Sequence, residues 1–184
     1  SMTATAEAGI YGPDLENALN AEGVMLGHFP QSFEFSTLGG WIAARGAGQQ
    51  SNRYGKAEHW LVSARLATPA GGWSTEGFPA SAAGARLTDL VAGSEGTLGI
   101  ITDATFAVHR RPTARDYRAY LFKSFEAGRE AVRAIVQAEV PAATLRLSDE
   151  SETHFFGALG RLQGPEKFGH RVQDAYLKLR GLGG

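Results

Sequence analysis

Two glycine–hydroxyl stretches carry most of the chemical information in this chain. The first runs Pro30-Gln-Ser-Phe-Glu-Phe-Ser-Thr-Leu-Gly-Gly-Trp-Ile-Ala-Ala-Arg-Gly-Ala-Gly48, with Gly39, Gly40, Gly46 and Gly48 set among Ser32, Ser36 and Thr37 and no run of charge. The second, Gly93-Ser-Glu-Gly-Thr-Leu-Gly99, stands directly before the strand-like run from Ile100 to Val108. Backbone without Cβ atoms lets a ligand come close, while hydroxyls and amides offer hydrogen bonds. Two such loops, each beside regular structure, suit a large phosphorylated cofactor held by main chain. Turn glycines are an alternative reading of the same residues. Glu34 and Glu95, one in each loop, read as structural groups capping nearby amides, since a carboxylate would repel a bound phosphate.

The elements that must hold these loops follow from the pattern. Thr3–Ala8 reads as a strand. Gly12-Pro13-Asp14 opens a helix, with Pro suited to its first position and Asp14 and Glu16 complementing its positive end. Leu15, Ala18 and Leu19 form its apolar stripe, and Gly23 closes it. A loop from His28 to Thr37 leads to a short helix over 38–44. Residues 60–68 read as a strand with Trp60, Val62, Ala64 and Leu66 on one face, turned by Pro69-Ala-Gly-Gly72 into a return strand at Trp73. A short helix at 87–92 precedes the second glycine loop. The strand from Ile100 to Val108 should present Ile100, Phe106 and Val108 to a core.

Beyond Pro112 the pattern changes: a strand at 117–122, a helix at 125–139 and a strand at 143–147, then helices near 150–156 and 171–179. The boundary is placed at Pro112, giving residues 1–112 and 113–184. The chain has 184 residues, 43% hydrophobic and 20% charged, with a net charge of −1. That balance offers no field to recruit nucleic acid or an anionic membrane; the basic patch around Arg110, Arg111, Arg115 and Arg118 reads as a solvated connection. Zero cysteines exclude disulfides and thiolate chemistry. No run of about 18 apolar residues, and no basic-then-apolar leader, suggests a membrane span or signal peptide. Met2 reads as a start residue behind one extra serine, and both ends read as cut from a longer protein. The histidines show no ligand-like spacing, so no metal is expected.

The order His28-Phe-Pro-Gln-Ser-Phe-Glu-Phe-Ser-Thr-Leu-Gly-Gly-Trp41, Arg45-Gly-Ala-Gly48, Tyr54-Gly55, Thr68-Pro69 and Gly93-Ser-Glu-Gly-Thr-Leu-Gly-Ile-Ile-Thr102 resembles the FAD-linked oxidases of the vanillyl-alcohol-oxidase type. Within that superfamily it is most similar to the alkyldihydroxyacetonephosphate synthases, over roughly residues 3–152. The resemblance implies an α+β fold: a second FAD-binding subdomain in residues 1–112, followed by the start of an α+β cap, or substrate, domain in residues 113–184. It implies that Pro30, Gln31, Ser32, Ser36 and Thr37 line FAD. Ala44, Arg45, Gly46 and Ala47 do so too, as do Glu95, Gly96, Thr97, Leu98, Gly99, Ile100 and Ile101. His28 falls on the substrate-side histidine and Arg146 on a phosphate-binding arginine of the cap's second strand.

Each of these has a plainer reading. His28 is also a loop histidine bonded to a neighbour, Arg146 a surface arginine, Arg45 a helix cap, and Trp41 a core residue rather than a flavin-stacking one. This chain departs from the family in having Gln31 where aspartate is common. Ala44 and Gly46 stand where hydroxyl or larger residues are common. The family's upstream pyrophosphate loop and its distal tyrosine- and histidine-rich segment are absent from the sequence.

For function, the resemblance implies a fragment of an FAD enzyme of ether-lipid type. It would exchange the acyl group of an acylated dihydroxyacetone phosphate for an alkyl group, through a flavin adduct and without net redox change. The alternatives are an FAD-dependent dehydrogenase or oxidase of a 2-hydroxy acid, and a module inactive by itself. Gly39-Gly40-Trp41 favours the synthase, because the hydroxy-acid enzymes usually carry asparagine after the double glycine. The expectations are non-covalent FAD, a phosphorylated or hydroxy-acid small-molecule substrate and no nucleic-acid partner. Membrane association is expected solely through a lipid substrate of the longer protein, and a homodimer and a cytoplasmic location complete the list.

Overall fold

Residues 1–78 and 82–155 are described by a computed structural model of the chain. They fall into two units, one made of Ser1–Arg118 with Val140–Leu145, the other of Ala119–Glu139 and the chain from Arg146 onward.

In the first unit, β1 (Thr3–Glu7), β3 (Leu61–Thr68), β4 (Gly71–Ser74) and β5 (Ile100–Ala107) form an antiparallel sheet in the order β1-β5-β3-β4. β1 and β5 pair Thr3 with Ala107 through Glu7 with Asp103, and the β3–β4 hairpin pairs Arg65 with Ser74 and Thr68 with Gly71. A second ladder joins β2 (Val24–Met25) to β6 (His109–Arg110). Helices α1 (Gly12–Ala21), α2 (Leu38–Ala43), α3 (Ser51–Tyr54), α4 (Ala57–Trp60) and α5 (Leu87–Val91) surround these strands. The core gathers Leu15 and Leu19 of α1, Leu38 and Ile42 of α2, Trp60 of α4, Leu61, Ala64 and Leu66 of β3, Val91 of α5 and Phe106 of β5. Burying a side chain of this size stabilises by about 1.5–3 kcal/mol before ordering costs are set against it.

Three expectations about faces and elements are corrected. Trp60 ends α4 instead of opening β3; it is buried edge-on to Phe106, with ring centroids 6.3 Å apart. A bulge between Leu61 and Ser63 then breaks the strict alternation, so the inward residues are Leu61, Ala64 and Leu66, and Val62 is half-buried. Ile100 is 75% exposed, because β5 meets the core through Ala104 and Phe106 at its other end.

The second unit holds α6 (Phe125–Gln137), capped where the Ser124 hydroxyl accepts the Ala127 amide at 3.2 Å. Its packing point is Gly128, where an added Cβ would lie 2.6 Å from Leu147 and 3.2 Å from Phe122. Residues 150–155 are helical, with the Asp149 carboxylate accepting the Glu152 amide at 2.7 Å. The strands expected at 117–122 and 143–147 are not formed. A strand exists through its ladder, and no described segment pairs with either one; Tyr117 and Tyr120 are exposed. The helix expected at 171–179 lies outside the described residues.

Candidate functional site

The two glycine stretches meet around α2. At its N-terminal end, Thr37 is the cap, its hydroxyl facing the Gly40 amide at 3.4 Å, while the Leu38 and Gly39 amides donate to the Ile10 and Ala8 carbonyls. The loop before it is folded on itself: the Ser32 hydroxyl donates to the Ser36 hydroxyl at 3.1 Å, which donates to the Ser32 carbonyl at 2.8 Å. Trp41, buried at 4% exposure, donates its indole N–H to the same Ser36 hydroxyl at 2.7 Å and stacks on Phe33. It is therefore a core residue that also orients the loop.

At the other end of α2 the carbonyls of Ile42 and Ala43 accept the amides of Gly93 and Glu95 at 2.9 and 3.1 Å. This brings Ala44, Arg45, Gly46 and Ala47 beside the second loop. Gly99 closes that loop against β3: at φ 144°, an added Cβ would sit 2.7 Å from the Ala67 carbonyl oxygen. Gln31, Ser32, Ala44, Ala47 and Glu95–Leu98 are exposed, and the Gly96 and Leu98 amides have no partner among the described residues. Pro30, Ser36, Thr37 and Gly46 are half-buried behind it, and Ile100 and Ile101 carry the loop into β5. The arrangement is a surface of amides and hydroxyls, which suits a flat, phosphate-bearing ligand.

His28 departs from its expected place. It is 1% exposed, its ring lying 4.8 Å from that of Trp41 and 5.4 Å from that of Trp60, with neither nitrogen hydrogen-bonded. Burial pushes its pKa down to about 4, so the ring is neutral at pH 7. In this geometry it packs behind the loop against the two indole rings. Arg45 does not point at a ligand phosphate either: its Nε donates to the Ala92 carbonyl and its Nη2 to the Asp89 carbonyl, both at 2.7 Å, so it caps the C-terminal end of α5. Glu34 and Glu95 are exposed, and neither carboxylate accepts an amide among the described residues, contrary to the capping role expected of them. Arg146 lies in the other unit, in an extended segment rather than a strand, and is ion-paired to Glu152.

The residue that sequence reasoning missed is Glu16. Expected to complement the α1 dipole, it is instead 5% exposed, with Oε1 accepting the Leu26 amide at 3.1 Å and the Gly27 amide at 2.9 Å. Burial raises its pKa above the usual carboxylate value, although the two amides and Arg115 oppose that shift. Its bonds fix the backbone just before His28. The available signal was its place between Leu15 and Leu19 on the inward side of α1.

Residues 1–75 match the family model for an FAD binding domain. The chain is 45% identical over 152 residues to alkyldihydroxyacetonephosphate synthase of Dictyostelium discoideum, an alignment covering 83% of this chain and 25% of that protein. It is 40% identical over 153 residues to alkyldihydroxyacetonephosphate synthase of Trypanosoma brucei brucei, covering 83% and 25%. A solved structure of alkyldihydroxyacetonephosphate synthase matches with a TM-score of 0.85 at 41% identity, covering 97% of this chain and 32% of that one. The chain thus spans about a quarter of the length of these curated relatives.

Proposed function

We propose that this chain, whose N-terminal part is an FAD-binding domain of the vanillyl-alcohol-oxidase type, is the flavin-holding portion of an alkyldihydroxyacetonephosphate-synthase-like enzyme. The reaction replaces the acyl group of an acylated dihydroxyacetone phosphate by the alkyl group of a fatty alcohol, releasing a fatty acid, and is redox-neutral overall. Its product would feed ether-lipid synthesis, with the lipid substrate drawing the full-length protein to a membrane surface from the cytoplasm.

One observation carries the reading. Two stretches some fifty residues apart in sequence, the segments flanking α2 and the loop 93–99, meet at α2 and carry glycines and hydroxyls at most of their positions. FAD fits this donor set. The exposed Gly96 and Leu98 amides and the Ser32 hydroxyl would hold its polar edges, and Gly99 keeps the second loop flat against β3. When bound, FAD supplies an electron sink next to the reacting carbon, and the protein supplies orientation and charge. By resemblance, Arg146 of the second unit is the candidate for the substrate phosphate, its planar fork suited to such an anion. His28 would contribute by packing, as a neutral ring that sets the height of the Phe29–Phe35 loop.

Calorimetric titration of FAD into the chain and into the full-length protein, followed by an alcohol-exchange assay on the latter, tests this. Flavin binding with exchange of labelled fatty alcohol into the phosphate ester is the expected result. Flavin binding by neither protein would refute the cofactor assignment. Binding accompanied by reduction of an artificial electron acceptor with a 2-hydroxy acid would replace the synthase reading by a dehydrogenase.

A further inference from the structure

We infer that Arg45 is a positioning residue for the cofactor, a clamp that fastens the second glycine loop to the first, and not a ligand of the cofactor's phosphates. The inference rests on the FAD reading above for its consequence, but on geometry alone for the clamp. Its guanidinium spans the last turn of α5, Nε on the Ala92 carbonyl and Nη2 on the Asp89 carbonyl, both at 2.7 Å. Nη1 lies 3.9 Å from the Glu58 carboxylate, which Lys56 also holds at 2.7 Å. The side chain is 45% exposed, yet its Nε and Nη2 are both bonded to protein.

The second loop is shaped to receive it. Gly93 follows Ala92 directly, and a Cβ there would stand 2.7 Å from Arg45 Nε, 2.8 Å from its Cγ and 2.9 Å from its Cδ. The missing side chain of Gly93 is the slot through which the arginine passes. Backbone geometry marks the same junction. Three non-glycine residues among those described have positive φ, and two of them, Arg45 at 50° and Glu95 at 46°, lie on the facing loops. Left-handed backbone at such residues is unfavourable and persists where surrounding bonds over-determine it. Here the Gly93-to-Ile42 and Glu95-to-Ala43 hydrogen bonds and the arginine fork do so. A lysine reaches one carbonyl as a point charge; only a planar fork reaches two at fixed spacing.

The test compares wild type, Arg45→Lys and Gly93→Ala in the full-length protein. Two quantities are read: affinity for FAD and for riboflavin by fluorescence quenching, and amide hydrogen exchange at Gly93 and Glu95 without cofactor. Loss of the charged fork should weaken FAD by about tenfold or more. Because a clamp acts on the whole loop, riboflavin should weaken by the same factor, and the two amides should exchange faster in both variants. Arg45→Lys keeps the positive charge and Gly93→Ala keeps the arginine itself, so equal weakening in both assigns the effect to the lost seating of the fork; Arg45→Gln takes the place of Arg45→Lys if the lysine variant does not fold. Weakened FAD with unchanged riboflavin would identify Arg45 as a phosphate ligand and overturn the clamp. Wild-type affinity and exchange in both variants would also overturn it. Failure of wild type to bind any flavin would sink the FAD reading, leaving amide exchange to decide the clamp by itself.

Discussion

Glu16 gives the sharpest prediction. Replacing it by alanine leaves the Leu26 and Gly27 amides, bonded to its Oε1 at 3.1 and 2.9 Å, buried without an acceptor. Each orphaned donor costs about 1–3 kcal/mol, so Glu16→Ala should lose about 2–6 kcal/mol, a large share of a typical domain's stability. Glu16→Gln keeps an acceptor at the same place and should lose far less. The two variants also differ in pH behaviour. Since burial raises the folded-state pKa of Glu16, its favourable contribution is complete below the ordinary carboxylate value and is lost as pH rises through the raised value. Glu16→Gln should therefore gain on wild type with rising pH. Urea unfolding at a series of pH values between 4 and 8 measures both effects. An alanine variant within about 0.5 kcal/mol of wild type would refute the reasoning, because two buried amides cannot lose their acceptor at so small a cost.

His28 should act in the opposite direction on the pH axis. Its pKa is lowered from 6.5 to about 4, so the protein loses up to about 3 kcal/mol as pH falls across that window; the loss should vanish in His28→Phe, and the His28 ring resonances in NMR should not titrate above pH 5. Gly99→Ala introduces a Cβ 2.7 Å from the Ala67 carbonyl oxygen at φ 144°, and should cost about 2 kcal/mol or more together with flavin affinity, read by urea unfolding and FAD titration. Trp41→Phe keeps the ring against Phe33 but removes the donor to the Ser36 hydroxyl; about 1 kcal/mol of stability and faster proteolytic nicking at 31–36 are expected, and unchanged nicking would show that this bond does not hold the loop.

Much of this organisation was legible from the sequence because local chemistry and tertiary context agree. Pro13 at a helix start, Gly23 at its close and the Pro69–Gly72 turn each specify their element within a few residues. Faces were less legible. The bulge between Leu61 and Ser63 shifts an alternation that looks regular in sequence, with Trp60 buried in the core and Leu61 paired with Phe106. The segments at 117–122 and 143–147 have strand composition, but a strand requires a partner, and composition does not supply one. Glu16 was misread for a related reason. A carboxylate near a helix start usually faces solvent, and what overrides this is a pair of amides ten and eleven residues away.

The same distinction explains why the cofactor loops are recognisable although several of their side chains depart from the family pattern. Gln31 carries no charge where aspartate is common, Ala44 carries no hydroxyl, and Gly46 carries no side chain. A site built from side chains would be compromised by such changes. One built from amides is fixed instead by where backbone can run, and the positions that constrain it are those where a Cβ cannot fit. Gly93 admits Arg45, and Gly99 clears the Ala67 carbonyl. The glycines that let the two loops meet at α2 are then a better guide to this surface than the identity of any one side chain on it.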